Sequence, residues 1–317
     1  MKRRFWLYTV LALASVALIS CKKDEETVET KPGLHGLAFD LATFARVGES
    51  FTMKPYGLYT SDGKDLPELI IYKWKVNSGT YAPSDVFELK NVEVGNYTVT
   101  CQAVDSLANY YSTTATRTLI VIDPLWGRTL VGTGIESTDD HITDQRDNDG
   151  ENDYFYKKVG DLEWFRNNLA YTGAGVPYEM GEVTSYPLGR YYTWEEAKEA
   201  CPEGWRLPTD EEWAALGTEA GPLTADAFLN DKRMWEYWPG VERTNTTGLA
   251  IIPAGYVLAG VKPSFKRIYD YAAFWTATEN EENPSLARYR YMYVKDNDVK
   301  ATWGDKQSLA LSVRCVR

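Results

Sequence analysis

Two helix-start signals follow one another between Gly189 and Trp213, and they constrain the fold of the C-terminal half of the chain. Each is a threonine with a glutamate three residues later, which is the spacing of a capping box: Thr193 with Glu196, and Thr209 with Glu212. Pro202 cannot continue a helix, so it ends the first one. The pattern therefore predicts two short helices in close succession.

Four glutamates in these first turns also admit a catalytic interpretation as paired carboxylates: Glu195, Glu196, Glu211 and Glu212. Their position gives a sufficient structural reason for them, because acidic side chains near a helix N-terminus cap it and interact favourably with its dipole. We therefore expect these carboxylates to stabilise the helices.

The N-terminal half has the pattern of short strands separated by turn signals. Residues 70–76 and 96–105 alternate, which places Tyr72 with Trp74 on one face and Val99 with Cys101 on another. A β-branched run, 116–122, closes the region. The pattern predicts a small all-β sandwich over residues 36–123.

This region resembles a PKD or PKD-like domain of the immunoglobulin type. The resemblance rests on Tyr72-Lys73-Trp74, Phe87, Gly95-Asn96-Tyr97-Thr98-Val99 and Val104-Asp105. Such modules act as spacers, so the resemblance implies that Trp74 and Tyr97 are structural. We expect Cys101 to lie in this core as a free thiol that behaves as a small apolar residue.

The first residues have the pattern of an export signal. A basic start precedes an apolar run, 5–19, that is too short to span a bilayer together with its flanks. Leu18-Ile19-Ser20-Cys21 resembles the lipobox of bacterial lipoproteins, which implies a signal peptide at 1–20, lipidation of Cys21 and a tether over 21–35. An ordinary signal peptide with a chance cysteine is the alternative.

The acidic cluster that follows Cys21, in residues 22–26, is similar to the surface-export signal of Bacteroidota lipoproteins. It implies an outer-membrane protein that faces the cell exterior and contacts the membrane only through its N-terminal lipid. A solvated linker is the alternative interpretation of this cluster.

Charge and histidine content exclude several kinds of site. Removal of residues 1–20 takes away three basic residues and changes the formal charge from -11 to -14. Because an acidic protein repels phosphate backbones, we expect no nucleic-acid partner. Two histidines are too few for most histidine-based metal sites and triads.

The segment Gly189–Trp213 closely resembles the Fibrobacter succinogenes major paralogous domain, a family widespread in surface lipoproteins. Further matches lie at 164–171, 274–279 and 311–317. The resemblance covers 124–317 and implies an α+β, C-type-lectin-like fold with two helices around a twisted antiparallel sheet. The predicted fold class is therefore mixed, with an all-β immunoglobulin/PKD-like sandwich followed by a lectin-like domain.

The resemblance also implies a disulfide between Cys201 and Cys315. A second similarity is to formylglycine-generating enzymes, and it lies in the pattern Arg206-Leu207-Pro208-Thr209 and Glu212-Trp213. Those enzymes use catalytic cysteines. Because the disulfide consumes both Cys201 and Cys315, the catalytic cysteines have no counterpart in this chain. We therefore expect neither enzymatic activity nor a cofactor. If the protein were an enzyme, a glycosidase would be the alternative that fits best.

One acidic segment admits structural calcium, with Asp147, Asp149 and Asp153 as candidate ligands. The segment lacks the ligand spacing of an EF-hand. A solvated turn before the strand at Tyr154 is therefore the interpretation we favour.

A loop rich in aromatic residues is the candidate ligand site, because flat rings stack on sugars while polar groups bond to hydroxyls. The candidates are Trp235, Tyr237, Trp238, Tyr269, Asp270 and Tyr271. The alternative is that these aromatics cover the domain's own core or its contact with the first domain, as we expect for Trp194, Trp205, Trp213 and Trp275. The calcium-binding sugar motifs of C-type lectins are missing from the sequence.

The sequence thus predicts non-catalytic recognition of a glycan by a cell-surface lipoprotein. The alternative is a structural or adhesive protein whose partner is another surface protein, in a fimbria or an outer-membrane complex.

Overall fold

The computed structural model describes residues 31–124, 129–146 and 152–317. Residues in strands make up 41% and residues in helices 9%, which confirms the prediction of a β-rich protein. Among the described residues, no helix has the length and apolarity needed to cross a membrane. The predicted lipidation site, Cys21, lies outside the described residues.

Within residues 31–124 the chain forms short and long strands: β1 Leu34–His35, β2 Phe44–Arg46, β3 Phe51–Met53, β4 Tyr59–Thr60, β5 Ile70–Val76, β6 Ala82–Pro83, β7 Phe87–Leu89, β8 Gly95–Asp105 and β9 Thr113–Ile122. Five of them form a sheet in the order β2-β9-β8-β5-β6, in which β2 and β9 are parallel. The pairs β3–β7 and β1–β4 are antiparallel.

Trp74 is the centre of the core of this region. It is 1% exposed, stacks on Phe87 at 5.4 Å between ring centroids and meets Phe39 edge-on at 5.0 Å. Its indole N–H donates to the Ser84 carbonyl. Cys101 faces the same core as a free, fully buried thiol, which confirms the prediction, and burial raises its pKa to about 12.

Tyr97 also has a structural role, as predicted. Its hydroxyl donates to the Glu93 carbonyl at 2.9 Å and accepts from the Glu93 amide at 3.1 Å. At the N-terminal end, Leu34 is buried and pairs with Thr60, so the first strand starts before residue 36, where the sequence places the domain boundary.

In the C-terminal region the strands are β10 Leu130–Val131, β11 His141–Asp144, β12 Asn152–Val159, β13 Leu162–Phe165, β14 Val176–Pro177, β15 Arg190–Tyr191, β16 Phe228–Leu229, β17 Lys232–Arg233, β18 Tyr256–Leu258, β19 Ser264–Lys266, β20 Tyr271–Glu279, β21 Leu286–Tyr293, β22 Val299–Asp305 and β23 Leu309–Ala310. The longest sheet is antiparallel, in the order β20-β21-β22. Smaller sheets have the orders β11-β12-β13, β10-β16-β17, β19-β18-β23 and β14-β15.

The α-helices are α1 Ser185–Leu188, α2 Trp194–Ala200 and α3 Asp210–Ala215, and short 3₁₀ helices span Tyr178–Met180, Glu182–Thr184 and Gly221–Leu223. Both predicted capping boxes are present, at the N-termini of α2 and α3. At the opposite end of α2, Arg146 donates to the carbonyls of Ala200 and Cys201 while it pairs with Asp144. A cation at the last carbonyls stabilises the helix end.

The Cys201–Cys315 disulfide is present and joins the end of α2 to the C-terminal segment. The four tryptophans that the sequence assigned to the interior are all at most 7% exposed. Trp194, Trp205 and Trp275 pack in the core cluster around the disulfide, and Trp213 packs in a second cluster. Arg314 is buried as well and donates to Asn168 and to the carbonyls of Phe165 and Leu249.

The two regions contact one another at a polar junction. Asn230 donates from its side-chain amide to the carbonyls of Gly95 and Val121, and its own carbonyl accepts from Asn96. Arg46 reaches the Tyr186 hydroxyl at 2.9 Å. The turn that carries Asn230 immediately precedes the aromatic loop, so this junction fixes one end of the candidate ligand site.

Candidate ligand-binding surfaces

The aromatic loop begins in a tight hairpin. Leu229 pairs with Lys232, and the two residues between them, Asn230 and Asp231, both have positive φ, at 45° and 63°. This is the backbone of a two-residue hairpin turn, in which asparagine and aspartate tolerate left-handed geometry. The hairpin directs the chain back across the domain, so that the next residues, Met234 and Trp235, point into the core.

Trp235 is 1% exposed, and its indole N–H donates to the Ile251 carbonyl at 3.2 Å. The guanidinium of Arg243 lies 4.2 Å from the centroid of its ring. No face of Trp235 is therefore available to stack on a sugar. The sequence placed Trp235 in the ligand site; the structure places it in the core, because the hairpin turns it inward.

Tyr237 and Trp238, in contrast, are 72% and 40% exposed. Trp238 opens a turn in which its carbonyl accepts from the Val241 amide at 3.2 Å, with Pro239 second and Gly240, at φ +79°, third. Proline and glycine in these positions are typical of a type II turn. Lys295 lies 4.2 Å from the centroid of the Trp238 ring. The turn thus holds two aromatic side chains at the surface.

This turn forms one wall of a groove of about 390 Å³. Gly240 and Asn297 both line the groove, and the Asn297 side chain donates to the Gly240 carbonyl at 3.2 Å. The polar side chains that line the groove are Glu219, Glu242, Thr244, Asn297 and Asp298. Backbone hydrogen bonds join the segments that line the groove. The Ala220 amide donates to the Asn297 carbonyl, and the Thr244 amide donates to the Gly221 carbonyl.

The second predicted segment, Tyr269 to Tyr271, adjoins the first through backbone, since the Glu236 amide donates to the Tyr269 carbonyl at 3.1 Å. Tyr269 is half-buried, and Lys232 lies 3.5 Å from the centroid of its ring. Asp270 forms a two-pronged pair with Arg267, with N–O distances of 3.1 and 3.0 Å. Neither residue lines the groove beside Trp238.

Tyr271 belongs to a separate, smaller cavity of about 180 Å³. Its ring stacks on Tyr291 at 5.2 Å and meets Tyr256 edge-on at 5.5 Å. The remaining lining residues are Arg267, Tyr289, Leu309 and Leu311.

The six predicted residues therefore do not form one site. Trp235 lies in the core and Tyr271 lines the tyrosine pocket. Tyr237 and Trp238 are exposed in the turn before the groove, and Tyr269 and Asp270 are occupied by contacts with Lys232 and Arg267.

Of the three candidate calcium ligands, only Asp153 lies within the described residues. Asp147 and Asp149 lie outside the described residues. Asp153 accepts from the Thr143 hydroxyl at 2.8 Å across the β11–β12 pair. Among the described residues, no three acidic, histidine or cysteine side chains come together in a way that would hold a metal ion.

Apart from Tyr271, the residues that line the groove and the tyrosine pocket were missed by sequence reasoning. Groove residues come from positions as far apart as Glu219 and Asp298, and each is an ordinary surface residue in its own segment. One local signal existed for the pocket: Tyr289, Tyr291 and Tyr293 alternate along β21, which puts three phenols on one face of a strand.

A comparison with protein-family models matches residues 157–317 to the Fibrobacter succinogenes major domain. The chain belongs to this family. The match begins at 157 rather than at 124, although Leu130, Ile135 and Phe155 pack in one cluster with residues of the matched domain. No curated protein matches the chain. Both the groove and the tyrosine pocket lie inside the Fibrobacter succinogenes major domain.

Proposed function

We propose that the protein is a lipid-anchored protein of the bacterial outer surface that binds a neutral glycan, without catalysis, through the groove beside Tyr237 and Trp238. The observation that carries the proposal is the exposure of two aromatic rings in the turn that leads into a polar groove, two residues before the groove residue Gly240. Aromatic rings supply apolar faces for sugar rings, and carboxylate and amide groups bond to hydroxyls.

The size of the groove supports this proposal. Its volume of about 390 Å³ lies within the range of roughly 300–1,000 Å³ that small-ligand sites occupy. That space suits a short segment of a saccharide chain. The open turn at Trp238 leaves room for the chain to continue over the surface of the domain.

The charge of the groove selects the kind of glycan. Glu219, Glu242 and Asp298 all line it, and in the described parts of the chain none of the three forms a salt bridge within 4.0 Å. Uncompensated carboxylates repel anionic sugars and accept hydrogen bonds from hydroxyls. We therefore expect neutral sugars to bind and uronate-rich or sulfated chains to be rejected at this groove.

The rest of the chain would deliver this groove to the cell exterior. We propose that Cys21 carries the lipid, with the acidic residues after it acting as a surface-export signal of the Bacteroidota kind. The N-terminal β-region would be a PKD-like, immunoglobulin-type spacer. Two features support this: the ring of Trp74 is stacked in the core, and the Tyr97 hydroxyl is bonded to backbone a few residues upstream, as in immunoglobulin-type sandwiches. The family domain would have a C-type-lectin-like fold.

A glycan array tests the binding proposal. The purified protein is applied to an array that holds neutral, uronate-containing and sulfated glycans in equal number, and Glu242→Gln is run beside it. We expect hits among neutral glycans, with weakened binding in the variant. An array without neutral hits would contradict the proposal and favour the alternative of a protein partner.

The anchor is tested separately. Cells that express the protein or its Cys21→Ser variant are grown with a labelled fatty acid, and intact cells are then treated with protease. We expect label only on the protein with Cys21, and loss of that protein on protease treatment. A labelled Cys21→Ser variant would contradict lipidation at this site, and protease resistance of the labelled protein would contradict surface display.

A further inference from the structure

The tyrosine pocket has a chemistry opposite to that of the groove. Its polar lining consists of phenols and one guanidinium: Tyr256, Tyr271, Tyr289 and Arg267. Within the described parts of the chain, no carboxylate is among its lining residues. Leu309 and Leu311 supply an apolar floor. A cavity with this lining presents hydrogen-bond donors and ring faces.

Arg267 is held in place at the pocket. Its Nε and Nη2 donate to Asp270, and its guanidinium lies 4.7 Å from the Tyr293 ring centroid and 5.6 Å from that of Tyr271. Because arginine has five N–H donors in a rigid fork, two bonds to Asp270 leave others for a second acceptor. Arginine pairs with carboxylates through such parallel bonds.

The backbone around Arg267 is built for this placement. Arg267 and Tyr269 both have positive φ, at 62° and 79°, although neither is glycine. Gly255 lets the segment approach, since a Cβ there would lie 2.1 Å from the Lys266 carbonyl oxygen. Backbone held in sparsely populated conformations costs free energy, and it persists where surrounding contacts fix it, often beside ligands.

The phenols remain protonated donors over the working pH range. Burial raises the pKa of Tyr271 and of Tyr289, so both hydroxyls keep their protons. Tyr271 and Tyr256 present ring surface in an edge-to-face pair. Sugar rings and carboxylates fit this combination, because one supplies C–H faces and the other supplies acceptors.

We propose that the tyrosine pocket is a second binding site, which takes a single carboxylate-bearing sugar ring of the hexuronic acid type. The ring lies against the tyrosines, and its carboxylate accepts hydrogen bonds from Arg267. A volume of about 180 Å³ is below that of most sites for larger ligands, so the site holds one ring rather than a chain. This site is independent of the groove and of the neutral glycan proposed for it.

The test is a calorimetric titration of the purified protein at pH 7 with sodium glucuronate and sodium galacturonate, each beside its neutral parent, glucose and galactose. A charge-assisted pair with Arg267 predicts affinity about tenfold or more higher for each uronate than for its parent. Arg267→Gln should remove that preference. Tyr289→Phe, which keeps the ring and loses one hydroxyl, should weaken uronate binding severalfold without moving the melting temperature.

Arg233→Gln is the matched control, because Arg233 forms the same two-pronged pair with Asp226 outside the pocket. It should leave the uronate preference intact. The proposal is overturned by equal affinity for uronates and parents, by no uronate binding, or by equal losses in Arg267→Gln and Arg233→Gln. Trp238→Ala, which targets the groove, should leave uronate binding unchanged, so the two sites fail or stand separately.

Discussion

Trp235 and Trp238 lie three residues apart in one loop and have opposite environments. Trp235 is 1% exposed and donates its indole N–H to backbone, whereas Trp238 is 40% exposed in the turn that leads into a polar groove. The hairpin at Asn230–Asp231 directs the first inward, and the Pro239–Gly240 turn holds the second outward. One loop therefore contributes both to the stability of the domain and to its candidate binding surface.

The difference implies that stability and binding separate by residue. Substitutions in the core region should lower the free energy of unfolding and leave ligand affinity unchanged in the protein that remains folded. Substitutions at the surface should do the reverse. The predictions below test this separation, beginning with the largest expected effect.

The disulfide gives the largest effect on the core region. Replacing both Cys201 and Cys315 by serine should lower the free energy of unfolding by about 4–5 kcal/mol, because the bond closes a loop with a sequence separation of 114. Denaturant unfolding followed by tryptophan fluorescence measures the change. A loss under about 1 kcal/mol would show that the crosslink contributes little to the stability of this core.

Trp235→Ala should destabilise the domain by about 3–5 kcal/mol, since it leaves a large cavity and removes the hydrogen bond from the indole to the Ile251 carbonyl. Trp235→Phe fills much of the cavity and should cost less. Thermal unfolding of the two variants gives the comparison. Wild-type stability in Trp235→Ala would contradict the assignment of this ring to the core.

Cys101 extends the comparison to the core of the N-terminal region. Its thiol has an ordinary pKa near 9.0, and burial raises that pKa to about 12. Between these pH values the unfolded chain releases a proton that the folded protein keeps, so stability falls as pH rises above about 9. Wild type should lose up to about 1.4 kcal/mol per pH unit relative to Cys101→Ala. Denaturation midpoints of both proteins at pH 7, 9 and 10 should diverge; parallel midpoints would contradict the burial of this thiol.

Trp238→Ala should have the smallest effect on stability. Because the ring is partly exposed and contacts Lys295 at the surface, we expect the free energy of unfolding to change by about 0.5 kcal/mol. A thermal melt beside Trp235→Ala checks this expectation. If the two variants lost similar stability, the distinction between the two tryptophans would be wrong.

The features that were predictable from sequence are those written in neighbouring residues. Both capping boxes, the strand at 70–76, the buried Cys101 and the β-rich class follow from local spacing and alternation. The family resemblance, in turn, implied the disulfide. Trp235 and Trp238 were not distinguishable, because a hairpin and a turn, rather than a periodic pattern, set their directions.

The groove and the tyrosine pocket depend on tertiary contacts. Glu219, Glu242 and Asp298 meet only when three separate segments pack, and none of these segments carries a motif. Arg267 acquires its position from a pair with Asp270 and from close approach to Gly255. Apart from the alternating tyrosines of β21, no local pattern in the sequence marks these sites.

The most direct test of glycan binding at the groove compares two tryptophans of similar exposure. Trp303 is 38% exposed and, like Trp238, lies under a cation, in this case Arg288. It is five residues from the nearest groove residue, Asp298, whereas Trp238 is two residues from Gly240. Affinity for the best neutral glycan is measured by calorimetry for wild type, for the Tyr237→Ala, Trp238→Ala double variant and for Trp303→Ala. We predict a loss of about tenfold or more in the double variant only. Equal affinity in all three proteins would contradict the account.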